Sequence, residues 1–365
     1  MYSSRNAQII ALLLISTFFY GLTVSAQTKA PAKPTEAAKQ KPDYSQEAVV
    51  VEQLSTAYRF ERDGTGQRER TLRVKIQSDA GVQRFGQLVF DYSSANEKLD
   101  MDYVRVRKAD GTVVNAAVSD IQDLTAPVAR EAPVYTDLKQ KHVTVPGLRP
   151  GDVLEYHMIW NISTPLAQNQ FWLEHYFVTK RLIVLDDQLT VNIPAASKVK
   201  LKTEPGFDPT IKEDNDRRIY LWKHSNLKPD SEDDKKEEEQ SAEEDAQSED
   251  AEEFHPHVQL TTFQSWEEVG QWYATLQKDR IVPDEKIKLK AEELTRGLQS
   301  DQDKVKALYE YVAKNFRYVS LSLGQGRYQP HLAADVMVNE YGDCKDKHTL
   351  LAAMLAQPVC VGTRC

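Results

Sequence analysis

Tyr341-Gly342-Asp343-Cys344-Lys345-Asp346-Lys347-His348-Thr349-Leu350-Leu351-Ala352-Ala353-Met354-Leu355 carries the most decisive pattern in the 365-residue chain. Gly342 breaks the element before it, and Asp343 offers a short carboxylate to the unpaired amides of a first helical turn. Leu350, Leu351, Met354 and Leu355 then recur at helical spacing, which predicts a helix with one apolar face. Cys344 falls in its first turn, where the helix dipole and free amides favour a thiolate over a thiol. Chemistry places a nucleophilic sulfur at such a position. His348 lies one turn further on the same face; helical side chains lean toward the N-terminus, which makes it a candidate base, set against its reading as a packed or partly exposed residue. Asp343 and Asp346 read as first-turn acids that stabilise the helix, not as catalytic acids.

Upstream of that helix the pattern stays helical as far back as Phe254. Ser265 is a cap with Glu268 as its partner, opening a segment with Trp266, Val269, Trp272 and Tyr273 on one side. A second helix is expected from Pro283 to Gly297. A third runs from Asp301 to Phe316, with Val305, Leu308, Tyr309, Val312 and Phe316 as its apolar stripe. Arg317 to Leu323 alternates as a strand, and Ala333 to Asn339 is a short helix.

Further back the period changes to two. Ala48–Phe60, Arg68–Ile76, Val82–Phe90, Lys141–Val145, Val153–Asn161, Phe171–Val178, Leu182–Ile193 and Arg218–Trp222 read as strands between turn residues. Asp102–Arg107 meets Val113-Val114 across Ala109-Asp110-Gly111, a hairpin signal. Trp160, Phe171, Trp172, Tyr176 and Phe177 are expected in the core. His142, His157 and His175, with Glu155 and Glu174 nearby, match no metal-ligand spacing, so no metal site is expected there.

Between the two textures, Asp230 to Glu253 holds fourteen acidic and two basic residues, enough to leave the rest of the chain at +3 against a total of −9. The acidity is that of a solvated, disordered linker. No basic stripe suggests nucleic acid. At the N-terminus, Arg5, an apolar run from Ile9 to Leu22 and Val24-Ser25-Ala26 form a signal-peptide pattern, with an uncleaved anchor as the route to a membrane. The three cysteines crowd the last part of the chain, so the fold depends on its core and not on disulfides. Cys360 and Cys365 can pair and leave Cys344 free; Cys344, His348, Cys360 and Cys365 also offer zinc-type ligands, at a spacing unlike a standard finger.

The run from Tyr328 through Gly342-Asp343-Cys344-Lys345-Asp346-Lys347 resembles the transglutaminase-like superfamily, whose nucleophilic cysteine follows Gly-Asp at a helix start. It is similar in particular to a bacterial branch with an uncharacterised β-rich domain in front. Gly81-Val82-Gln83-Arg84-Phe85-Gly86-Gln87 and Pro146-Gly147-Leu148-Arg149-Pro150-Gly151-Asp152 are similar to that companion domain. The resemblance implies an α+β chain: an antiparallel β-sandwich-like domain (47–228), then a partial papain/transglutaminase-like domain (255–365), with a signal peptide (1–26), a tether (27–46) and the acidic linker (229–254). It implies a Cys344 thioester in amide hydrolysis or acyl transfer on a protein or peptide, without a cofactor. It also implies an exported, periplasmic setting in a Gram-negative bacterium, with cell-envelope partners. The family's catalytic histidine and aspartate follow the cysteine helix, and Ala356 to Cys365 contains neither. The expectation is therefore an inactive, truncated or frame-shifted copy. His331, in Tyr-Gln-Pro-His, is expected as a pocket wall or loop anchor. The competing expectation is a non-catalytic envelope-associated binding module.

Overall fold

The computed structural model describes residues 43–127, 137–228, 256–319 and 325–356. The expected signal peptide, most of the tether, the acidic tract and the Cys360–Cys365 tail lie outside the described residues. Along the chain come β1 (Val49–Phe60), β2 (Gly66–Ile76), α1 (Asp79–Phe85), β3 (Gln87–Ser93), β4 (Glu97–Arg107), β5 (Val113–Asn115), β6 (Ile121–Thr125) and β7 (Leu138–Thr144). There follow β8 (Val153–Ile162), β9 (Trp172–His175), β10 (Ile183–Pro194), β11 (Lys200–Thr203), β12 (Thr210–Asp214), β13 (Arg217–Asn226) and β14 (Val258–Thr261).

Eight strands form one sheet in the order β12-β13-β10-β1-β2-β8-β4-β5. The predicted hairpin is its β4–β5 edge: Val106 pairs with Val114, and Gly111 sits at φ +88°, a turn conformation that costs glycine little. The β-sandwich-like expectation holds with one departure. β1 and β10 run parallel, and such a pair needs a long crossover, here the chain from β2 through β9. A three-stranded sheet, β3-β7-β6, packs Leu88, Phe90 and Val143 against Val74, Leu154 and Met158 of the large sheet. A second, β11-β14-β9, packs Leu173, Val258 and Leu260 against Leu189, Val191 and Trp222.

Val82–Phe90 is not one strand. Ser78 caps the short helix α1, whose last residue is Phe85, and β3 begins only at Gln87. Trp160, Phe171 and Phe177 are buried as expected, but Trp172 is half-buried and Tyr176 exposed. β14 carries a second surprise. It lies beyond the acidic tract, in residues the sequence pattern groups with the helices, yet it is the central strand between β11 and β9. A four-residue strand has too little period to announce its partners.

The helical part consists of α2 (Trp266–Gln277), α3 (Glu285–Thr295), α4 (Asp301–Asn315), α5 (Ala333–Asn339) and α6 (Cys344–Leu355). Ser265, Asp284, Ser300 and Asp343 cap α2, α3, α4 and α6, each accepting from an amide in the first turn. Ile287, Ala291, Leu308, Val312, Phe316, Val336, Leu350 and Met354 build one core. Tyr309 is exposed and drops out of the expected stripe; α2 turns Trp266 to solvent and buries no residue fully. Of the strand expected at Arg317–Leu323, β15 (Arg317–Tyr318) is described, paired with β16 (Tyr341–Gly342), and 320–324 lie outside the described residues. Among the described residues no helix is long and apolar enough to cross a membrane.

Candidate active site

Cys344 is the first residue of α6 and is exposed, while Leu350 and Met354 on the same helix are fully buried. The sulfur therefore sits at the mouth of the helix and its apolar face holds the helix in the core. Asp343 makes this end rigid. Its Oδ1 accepts from the amides of Lys345 (3.1 Å) and Asp346 (3.2 Å), and Lys345 Nζ closes onto its other oxygen. In return Asp346 Oδ2 accepts from the Asp343 amide at 3.3 Å, completing a capping box with aspartate at the third position.

Asp346 does more than cap. The loop before α5 brings His331 onto it: the His331 amide donates to Oδ1 at 2.8 Å, and His331 Nδ1 lies 3.0 Å from Oδ2. A carboxylate only accepts, so Nδ1 carries the hydrogen, and whenever the ring is neutral its lone pair lies on Nε2. Burial works to raise the Asp346 carboxyl. The hydrogen bonds from the His331 ring and amide, with the His331 and Lys345 charges, outweigh it and hold the group below its ordinary value. His331 is thus the loop anchor the sequence suggested, and its anchor point is the second residue after the candidate nucleophile.

Gly342 does not break the preceding element; it pairs with Tyr318 in a two-residue parallel ladder. Its requirement for glycine comes from packing. A Cβ there would lie 2.6 Å from Asp346 Cβ and 3.0 Å from Oδ2, inside the capping box. Lys347 reaches across to the end of α4, donating to Phe316 O (2.9 Å) and Ala313 O (3.3 Å), a cation on a helix C-terminus. Tyr273, on α2, stands beside the mouth: burial raises its phenol, and the acidic groups of Cys344, Asp343 and Asp346 add to the rise. His348, the candidate base, is exposed one turn along α6.

The helical part meets the β domain through rings. Trp172 of β9 lies against Phe263, Trp272 and Tyr328 at centroid distances of 5.7, 5.4 and 5.5 Å, and its indole N–H donates to Tyr328 Oη at 3.1 Å. Tyr328 begins the Tyr-Gln-Pro-His element that ends at His331, so one short loop touches both the β domain and the cysteine helix. This junction and the His331–Asp346 pair escaped the sequence, because the partners lie 156 and 15 positions apart and share no local pattern. Among the described residues no three histidine, cysteine or acidic side chains gather as metal ligands. His142 pairs with Gln140, His157 lies between Glu69 and Asp102, and Glu155 is enclosed by Arg73, Arg105 and Arg107. Cys360 and Cys365 of the zinc-type set lie outside the described residues.

Residues 288–356, which enclose this geometry, match the family model of the transglutaminase-like superfamily. The chain carries a transglutaminase-like core. Residues 62–231 match a domain of unknown function with a solved structure, DUF3857. A Parabacteroides distasonis crystal structure described as a "putative protease" shares the fold, with TM-score 0.68 and 19% identity over 84% of this chain. The present chain spans 58% of that one's length. A Deinococcus radiodurans M1 zinc metallopeptidase matches at TM-score 0.28 and 12% identity, covering 49% of this chain and 39% of its own, too weak to carry an argument. No curated protein matches.

Proposed function

We propose that the transglutaminase-like core acts through Cys344 on amide bonds of peptides or proteins, by hydrolysis or acyl transfer. The observation that carries this reading is the placement of an exposed thiol as the first residue of a buried helix whose cap is locked by Asp343 and Asp346. The sulfur attacks the amide carbonyl carbon; the amides of Lys345 and Asp346 are held by Asp343, so the Cys344 amide is the first-turn donor for the oxyanion. The C–N bond breaks, the amine leaves with a proton, and a Cys344 thioester remains. Water or a second amine then attacks the thioester and returns the thiol. His331, with its Nδ1 hydrogen held by Asp346, and His348, on the helix itself, are the imidazoles to test as proton carriers. Export to the periplasm is part of the proposal, supported by the Arg5, Ile9–Leu22 and Val24-Ser25-Ala26 pattern.

Iodoacetamide labelling at pH 7, read by peptide mass mapping so that Cys360 and Cys365 are counted separately, tests the nucleophile. Cys344 in the folded chain should alkylate about tenfold faster than in the urea-unfolded chain. Equal rates would mean an ordinary exposed cysteine and would end this reading.

A further inference from the structure

A cleft of about 490 Å³ opens beside the ring junction, on the β-domain side of Tyr328. Its volume is that of a ligand site. Trp172, Leu173 and Glu174 of β9 form one wall, with Phe60, Asn96 and Tyr328 among the others. Three features of this cleft concern what it could hold.

First, β9 is an edge strand of its sheet among the described residues: β14 takes one side, and the order β11-β14-β9 ends there. An edge strand presents a row of backbone donors and acceptors to any extended chain laid beside it. Second, Asn96 is only 5% exposed, and its Oδ1 has no hydrogen-bond partner among the described residues. Its backbone is fixed, the carbonyl accepting from Ser163 and Thr164 and the amide donating to Ser93. A buried acceptor held rigidly with nothing to accept from costs free energy unless a donor arrives. Third, the charged groups lining the cleft are already engaged. Arg68 stacks over Trp160 at 4.1 Å, Arg327 lies 3.9 Å from Glu174, and Glu97 accepts from the Ser93 amide at 3.0 Å. The cleft is built for a neutral ligand rich in N–H groups with apolar side chains. A peptide backbone has that chemistry.

We propose that this cleft binds an extended, uncharged peptide segment of three or four residues, which adds to the outer edge of β9 and donates an amide to Asn96. At about 3.3 Å per residue, four residues match the length of β9. Main-chain pairing supplies affinity, and the ring walls select apolar side chains. The site rests on the reading of Cys344 as a thiol acting on peptides, and deepens it. Tyr328 lines the cleft, and three residues later His331 is bonded to Asp346 at the start of the cysteine helix, so substrate held in the cleft bears on the loop next to the nucleophile.

The test uses the full chain as Cys344→Ala, so that nothing is turned over. The probes are acetylated, amidated pentapeptides of alanine with tyrosine, leucine or glutamine at alternate positions. Calorimetry reads affinity, and hydrogen exchange by mass spectrometry reads the segment 171–176. Expected are saturable binding by at least one peptide at or below about 1 mM, slowed exchange in that segment, and at least about a tenfold loss of affinity when alternate peptide nitrogens are methylated. The proposal is overturned if no peptide saturates by that concentration, if methylation changes nothing, or if exchange at 171–176 is unaltered. It is equally overturned if an N-acetylglucosamine trimer slows that exchange and the peptides do not. Because this variant has no thiol at 344, failure here leaves the labelling result standing, and slow labelling leaves peptide binding standing.

Discussion

Asp346 and Asp187 are both almost completely buried, at 0% and 1% exposure, and they answer burial in opposite ways. Asp346, at the cysteine helix, accepts from the His331 amide, the His331 ring and the Asp343 amide, and its carboxyl is held low. Asp187, in β10, accepts from the Val178 amide on one oxygen, while the other has no partner among the described residues. Burial pushes it up to about 6, against the pull of that amide and of the Arg70 charge. Depth alone does not set the state of a buried acid; the number of donors facing it does. The helical part spends its donors to fix a site, and the β domain tolerates an unsatisfied carboxyl within its sheet.

The comparison breaks first at Asp346. Asp346→Ala removes the acceptor for the His331 amide, the His331 ring and the Asp343 amide, so chemical denaturation should show a loss of about 4 kcal/mol. Because the carboxyl is held low, the stability it confers is present above its unfolded value and is lost as pH falls. The gap between wild type and variant should therefore shrink in acid. A constant gap would mean packing, not charge, makes the difference.

Asp187→Asn should do the reverse. The folded carboxyl holds its proton up to about 6 against an ordinary 3.8, so wild type loses stability as pH rises through that window. The amide cannot ionise. The variant should gain about 2 kcal/mol at pH 7 and nothing below pH 4, read by denaturant titration at both. His175 acts with the opposite sign. Burial, then the charges of Arg70 and His257, push it down to about 4 from 6.5, so folding gains stability as pH rises across that range. In wild type the two slopes oppose each other; in Asp187→Asn the rising one should stand alone. A variant with wild-type pH dependence would remove Asp187 from this account.

Lys347→Ala sharpens the picture with the smallest effect. It removes the cation from the carbonyls of Ala313 and Phe316, and about 1 kcal/mol of stability should go with it. The change should fade in high salt, and an unchanged loss there would assign it to the buried stem of the side chain.

Asp343 and the spacing of Leu350 and Met354 were enough to write the cysteine helix and its buried face, and Ser265 and Asp301–Phe316 wrote two more helices. The strands were legible wherever alternation ran for ten residues, as in β1 and β8. It failed where polar residues hid a short element. Ser78 begins a helix where Val82–Phe90 looked extended, and Tyr309 breaks a stripe that Leu308 and Val312 keep. At the site, the position of Cys344 was readable and the company of Asp346 was not.

By itself the sequence determined where helices start and which faces are apolar, because a cap and an i, i+4 period act within one turn of chain. Only the tertiary structure decided that His331 closes on Asp346, that β14 returns from beyond the acidic tract to sit between β11 and β9, and that Trp172 meets Tyr328. Those contacts join residues that chain-local forces never bring together, and they form only when separate apolar faces are buried against one another.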